Sequence, residues 1–330
     1  MLTLPDDLAQ AIRRQLDEQP EARWVREAQA LSERYRGDRR QQAPLASGEA
    51  QALGYMAMIM PATYAQLRGA MAAAAARAPG WQPHTALDLG SGPGTALWAA
   101  TAQWPSLARL EAWEREGAFI RAGRQLASQA AAPALQSAAW HQRDLRSAQA
   151  QGSYDLVILG HVLNELTPEA QAATVAAAWT MTAGLLLIVE PGTSAAFPVV
   201  RAARDALLGQ GAHTLAPCAH DMPCPLADDW CHFPQRIARP EFQRRARGAP
   251  SPWEDSKFSY AAMARFPAEG AIWGRVIREV AWNKAYAETT ISSRDGIIAH
   301  RALKRHRAAF KQTKELGWGQ ALDEPPHTED

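Results

Sequence analysis

Cysteine is scarce in this chain: there are three, and all fall in the stretch PCAHDMPCPLADDWCH, Pro217 to His232. Three thiols crowded together, with none elsewhere to pair with, do not make a disulfide framework, so a reducing, cytoplasmic setting is expected. Long apolar runs are missing as well, and none approaches the roughly 20 residues a helix needs to span a bilayer. The opening MLTLPDDLAQAIRRQLDEQPEARW mixes acids with bases, unlike a secretory signal or a typical transit peptide. Net charge is nearly absent, at +1, but it hides an asymmetry: His232 to Lys314 holds seventeen Lys/Arg against seven Asp/Glu. That segment could face a polyanion. With 330 residues and 47% hydrophobic content, the chain can bury a substantial core in one large domain or two moderate ones.

Residues 1–80 carry helical apolar spacing, with the Ala-rich YAQLRGAMAAAAARAP closing at Pro79-Gly80. From Trp81 to about residue 210, short apolar runs (HTALDLG, ARLEAWE, AAWHQRDL, YDLVILGH, GLLLIVEPG) alternate with helical patterns. Such alternation implies a parallel sheet with helical crossovers, an α/β fold. Between residues 211 and 252 the pattern dissolves into Pro, Cys, His and Arg. Residues 253–312 read as basic strands joined by turns that complete the sheet, with Arg294-Asp295-Gly296 the clearest turn, and 313–330 reads as a disordered tail.

ALDLGSGPGTALWAA is a buried strand, a glycine turn and a helix, with Gly90, Gly92 and Gly94 following Asp88. Glycines permit the tight turn and let a ligand lie against the backbone. A dinucleotide fingerprint would place Gly or Ala where Thr95 stands, which disfavours a nicotinamide or flavin cofactor. The pattern resembles motif I of the class I S-adenosylmethionine-dependent methyltransferases, a Rossmann-like fold. Glu114 ends the next strand, where that fold holds both ribose hydroxyls, and Asp144 ends a further one, where these enzymes commonly contact the adenine amine. Competing readings make Glu114 a solvated strand end and Asp144 a helix cap.

After the fourth strand comes GHVLNEL, where such folds place the residues nearest the methyl acceptor. An NPPY signature is absent, and so is the strand-end cysteine nucleophile that C5-pyrimidine methylation requires. His161, Asn164 and Glu165 are the catalytic candidates, His161 as a base; Asn164 and Glu165 could equally cap or face solvent on the next helix. Methyl transfer from a sulfonium needs mainly alignment, so a missing catalytic group does not exclude it.

LDLGSGPGTALWAA, GHVLNEL, IVEPGT, PCAHDMPCP, WCHFPQR and KFSY, with LSERYR and GYMAMIMPATYAQL upstream, are similar to the mitochondrial small-ribosomal-subunit methyltransferase-like family and its bacterial relatives. The resemblance implies a class I methyltransferase fold with a helical N-terminal region, a Cys-rich metal-binding insertion and a C-terminal β-rich region. It also implies association with small-subunit rRNA during ribosome assembly, and a four-iron four-sulfur cluster. Three of the family's four cysteine ligands match Cys218, Cys224 and Cys231, while Ser292 stands at the fourth.

Iron–sulfur clusters generally take four thiolates, so three leave one iron open to His, Ser, water or substrate. Zinc in a Cys3His site is the alternative, with His220 or His232 as the nitrogen ligand and Ser292 a weak candidate. Loss of the metal, with the cysteines kept as buried apolar residues, ranks third. Arg236, Arg239, Arg244, Arg245 and Arg247 follow the cysteines at once, and RALKRHR adds Arg301, Lys304, Arg305 and Arg307. Arg244, Arg245, Arg247, Lys304, Arg305 and Arg307 are the candidate RNA contacts. Trp253, Trp273 or Trp282 could stack on unpaired bases if exposed.

Overall fold

The computed structural model describes residues 1–36, 48–147, 149–248 and 250–327. Four helices come first: α1 (Asp6–Asp17), α2 (Glu21–Arg36), α3 (Glu49–Met58) and α4 (Met60–Ala75). In α1, Asp6 and Asp7 suit the positive end of the helix dipole, and Leu8, Ile12 and Leu16 recur every fourth residue, so one stripe is buried. Residues 37–47 of the expected helical region lie outside the described residues.

Strands and helices then alternate: β1 (Thr85–Leu89), α5 (Thr95–Gln103), β2 (Arg109–Glu114), α6 (Gly117–Ala127), the short α7 (Pro133–Gln136), β3 (Ala139–Gln142), β4 (Tyr154–Gly160), α8 (Pro168–Met181), β5 (Thr182–Pro191), α9 (Phe197–Leu208) and β6 (His213–Ala216). β7 (Phe233–Ala238), α10 (Glu241–Arg247) and the twelve-residue β8 (Trp253–Ala264) follow. The main sheet runs β3-β2-β1-β4-β5-β8-β6, and β7 also pairs with β8. β1 to β5 pair in parallel, while β8 runs antiparallel to β5, β6 and β7. β1, β4 and β5 are buried on both faces, which explains their nearly unbroken apolar runs. The order reverses between β1 and β4, and a doubly wound sheet binds ligands at the carboxyl end of its strands beside that point.

β6 and β7 share one edge of β8, β7 along Trp253–Phe258 and β6 along Ala262–Ala264. The cysteine segment is the loop between them. Past β8 the expectation needs correcting, because the remaining strands do not complete this sheet. β9 (Gly274–Val276), β10 (Ala281–Trp282), β11 (Tyr286–Ser293), β12 (Gly296–Leu303) and β13 (Ala321–Leu322) form a second, five-stranded sheet with α11 (Arg307–Glu315) packed on β11 and β12. The expected turn is there, closing the β11–β12 hairpin with Ser293 opposite Gly296. The expected disordered tail is also corrected: residues 313–322 hold the end of α11 and β13, which pairs with β9. Residues 328–330 lie outside the described residues.

Candidate functional site

A cavity of about 780 Å³ opens at the β1/β4 reversal. Asp88, Gly90, Gly92, Glu114, Asp144, His161 and Glu165 all line it, so residues from four separate strand ends converge there. Gly94 lies just behind the wall, as the left-handed residue that starts α5, with φ 82°. A Cβ on Gly94 would come within 2.7 Å of Trp140, and one on Gly90, with φ 72°, within 2.6 Å of Val162. Both turns need glycine for conformation and for space.

Asp88 is buried, and its Oδ2 has no hydrogen-bond partner among the described residues. Burial, then the charge of Glu114, pushes its carboxyl up to about 8. Glu114 accepts from the Gly92 N–H at 2.8 Å and the Glu116 N–H at 2.9 Å, so it braces the glycine turn. Burial raises its pKa, and those backbone donors act against the shift. Arg146 donates to both Asp144 carboxylate oxygens at 2.5 to 3.0 Å, which lowers the Asp144 pKa.

The loop after β4 is held from below. Glu190, fully buried at the end of β5, accepts from the Leu163 N–H and the Asn164 side chain, each at 2.7 Å. Asn164 therefore fixes the loop and does not line the cavity, whereas His161 and Glu165 do. His161 holds φ 61°, an uncommon conformation for a residue with a side chain. Its Nε2 lies 2.5 Å from Gln66 Oε1. Gln66 spends its amide N–H groups on Ser256 Oγ (2.8 Å) and the Lys257 carbonyl (2.9 Å), so its oxygen accepts and His161 Nε2 donates. A neutral His161 then keeps its lone pair on Nδ1.

Sequence reasoning missed Gln66, Glu190 and Tyr55. Tyr55, from α3, reaches the cavity beside Thr63 and Thr95, and burial pushes its hydroxyl up to about 12. The GYMAMIMPATYAQL segment contains both Tyr55 and Gln66, but no local spacing marks either as part of the cavity.

The three cysteines are half-buried, and the thiols lie near enough to influence one another's ionisation. Burial raises the pKa of Cys218 and takes that of Cys231 well up; Arg204 and Arg275 act against this at Cys218, and Arg278 and Arg275 at Cys231. The same arginines clamp the loop's backbone: Arg204 donates to the His220 and Met222 carbonyls, Arg275 to Pro217, and Arg278 to Trp230. Neighbouring thiols among three cations suit an anionic, thiolate-bound group in charge. In geometry they fall short, since no three His, Cys, Asp or Glu side chains among the described residues come together as a metal-holding group.

The fourth-ligand candidates divide by tautomer. The Met222 N–H donates to His220 Nδ1 at 3.2 Å, so neutral His220 carries its hydrogen on Nε2 and cannot offer that nitrogen to a metal. Among the described residues, the buried His220 Nε2 has no hydrogen-bond partner; burial lowers the ring's pKa, and the nearby Ser293 backbone acts against that shift. His232 Nδ1 lies 3.4 Å from the Trp230 carbonyl, which leaves the lone pair on Nε2, but the ring is stacked on Trp230 and edge-on to Trp318. Ser292 pairs with Arg275 across β9 and Ile297 across β12, on the opposite strand face from Ser293.

The basic residues divide too. Arg236 pairs with Asp255, Arg239 and Arg247 with Glu254, and Arg245 with Glu21 and Glu241, so most of the arginines around α10 are already neutralised. Arg244, Lys304, Arg305 and Arg307 are exposed and form no ion pair among the described residues. Trp253 and Trp282 are exposed, whereas Trp273 packs against the core of the second sheet.

The strand order, the glycine turn and the acid-lined cavity define a class I methyltransferase-like α/β protein. The profile of the family described as "Mitochondrial small ribosomal subunit Rsm22" matches residues 49–323, and the chain belongs to that family. It is 28% identical over 293 residues to the human protein "Ribosome assembly protein METTL17, mitochondrial", covering 83% of this chain and 63% of that one. The chain thus spans a little under two-thirds of that relative's length. Among solved structures, Synechocystis magnesium protoporphyrin IX methyltransferase with bound SAM is similar at 14% identity, 71% of this chain, 91% of that one and TM-score 0.40. Bradyrhizobium japonicum N-methyltransferase NodS is similar at 10% identity, 61% and 93% coverage and TM-score 0.38. Both overlays are loose, and the fold class rests on the strand order. Among the described residues, no helix is long and apolar enough to cross a membrane.

Proposed function

We propose that this chain is an S-adenosylmethionine-binding methyltransferase-like protein that acts on or with small-subunit rRNA during ribosome assembly, in the cytoplasm. The observation that carries the cofactor is the convergence of Asp88, Gly92, Glu114 and Asp144 on one cavity at the sheet's switch point. Among the described residues, the buried Asp88 Oδ2 has no hydrogen-bond partner, as a group awaiting a ligand would. Family membership supports the ribosomal setting. Calorimetric titration of the purified chain with S-adenosylmethionine tests the first part; absence of binding by the parent chain overturns it.

A second reading, a non-catalytic assembly factor that uses the pocket structurally, draws support from the loop after β4. There Asn164 is occupied with Glu190, and one His161 nitrogen with Gln66. Mapping rRNA methyl groups in cells carrying Asp88→Ala separates the two. Loss of one methyl group indicates the enzyme, and an unchanged map with intact assembly indicates the binding role.

The resemblance adds an iron–sulfur cluster on Cys218, Cys224 and Cys231 to this proposal, with zinc as the alternative. If bound, either group would tie the β6–β7 loop together through its thiolates. The test is anaerobic purification with iron, zinc and acid-labile sulfide analysis. Iron with matching sulfide supports the cluster, zinc alone supports the alternative, and neither metal removes both.

A further inference from the structure

The second sheet carries an exposed aromatic surface that the cofactor cavity does not use. Trp282 is 61% exposed on β10, a two-residue edge strand, beside a turn whose Asn283 side chain accepts from the Ala285 and Tyr286 N–H groups. An indole left this open on a tightly hydrogen-bonded turn is displayed rather than packed. One face is covered, because Lys314 Nζ sits 3.8 Å from the ring centroid. A cation on one face leaves the other for a flat partner.

The same end of the sheet gathers cations. The Lys304 N–H donates to the Ala285 carbonyl, which fixes the β12–α11 junction next to the Trp282 turn. Lys284, Lys304, Arg305 and Arg307 are exposed there and form no ion pair among the described residues. This differs from the arginines around α10, most of which are held by carboxylates. Unneutralised cations release counterions when they meet phosphates, and pairing that charge with a stacking platform is how proteins hold single strands.

We propose that this end of the second sheet docks single-stranded RNA, with Trp282 stacking on a base and Lys304, Arg305 and Arg307 contacting phosphates. The proposal rests on the ribosomal reading above and locates its contact. A duplex would hide its bases from an indole at a strand edge, so the occupant is an unpaired stretch.

The test is fluorescence anisotropy of a labelled oligouridine across a salt series with the full chain. Trp282→Ala is expected to weaken binding by roughly fivefold or more, while Trp282→Phe keeps most of the affinity. The triple variant Lys304→Ala, Arg305→Ala, Arg307→Ala is expected to flatten the salt dependence by about 0.7 per lost phosphate contact. All four positions are exposed, so the variants should fold, and circular dichroism checks that they do. If the parent binds and neither variant changes affinity or slope, this surface is refuted while the ribosomal reading stands. If the parent shows no salt-dependent binding, both fall. Equal competition by polyglutamate, with no effect at Trp282, would make the surface an acidic-protein site and also refute the proposal.

Discussion

Asp88→Asn should make the ligand-free chain more stable in mild alkali and no more stable in mild acid. Burial first, and the Glu114 charge second, raise the Asp88 pKa from 3.8 to about 8. The folded value lies above the unfolded one, so between about pH 4 and pH 8 the folded chain holds a proton that the unfolded chain has released. Stability from this group is therefore complete below the unfolded pKa and is lost as pH rises through the folded one, at about 1.4 kcal/mol per unit. By about pH 7 the loss reaches roughly 4 kcal/mol, an upper figure because relaxation and water entry soften burial. Asparagine cannot ionise and carries none of this slope. It leaves a buried amide donor where Oδ2 stood, at a cost of about 1–3 kcal/mol. Near pH 5, where the loss is about 1.6 kcal/mol and lies within the range of the amide's cost, the variant should match or fall below the parent; near pH 8, where the loss is about 5 kcal/mol at most, it should exceed it by up to about 2–4 kcal/mol. Glu114 shifts the same way in both proteins and largely cancels. Urea unfolding followed by circular dichroism over this range is the assay. Parallel stability curves, or a variant weaker than the parent near pH 8, would show that Asp88 is not held neutral by burial.

Glu190→Gln turns an acceptor into a donor opposite either the Leu163 N–H or the Asn164 amide, so about 1–3 kcal/mol of loop stability should go. Calorimetry should then show weaker S-adenosylmethionine binding, since that loop lines the cavity. Gly123→Ala puts a Cβ 2.2 Å from Trp140, which itself packs against Gly94. Overpacking should cost about 1–3 kcal/mol in urea unfolding, and an unchanged midpoint would mean that Trp140 moves freely. If the arginine clamps hold the cysteine loop, Arg275→Met should speed limited proteolysis between Pro217 and His232 in the metal-free chain, and unchanged cleavage would show that this clamp does not hold it.

The parallel sheet and its ligand turn could be read in the sequence because they rest on local periods: unbroken apolar runs, a glycine triplet, an acid at each strand end. What could not be read depends on distant partners. Gln66 meets Ser256 across 190 positions, and Glu190 meets Leu163 across 27. Counting arginines after the cysteines suggested a free basic face, but Glu21 and Glu254 fold back onto it. Division of the C-terminal strands between two sheets escaped for the same reason, since a two-residue period identifies a strand and says nothing about its neighbour.

β8 touches both candidate sites, through different residues, and the cysteine loop packs on its even face beside Tyr260. Its even residues Phe258, Tyr260, Ala262 and Ala264 pack into the core beneath α4, while Ala261 and Met263 face the other core. Ser256 lies on the even face and holds Gln66, and through it His161; Ser259 lies on the odd face and donates to the Cys231 carbonyl at 2.7 Å. The two hydroxyls have separate partners, and from Phe258 on β8 is paired with β5, so loss of one hydroxyl has no soft element through which to reach the other's partner. Ser256→Ala should therefore weaken S-adenosylmethionine binding a few-fold, about 1 kcal/mol, and leave cysteine alkylation unchanged. Ser259→Ala should speed alkylation of Cys231 and leave cofactor affinity unchanged. Either variant moving both readouts would show that β8 couples the sites, and the cavity and the cysteine loop would then have to be treated as one unit.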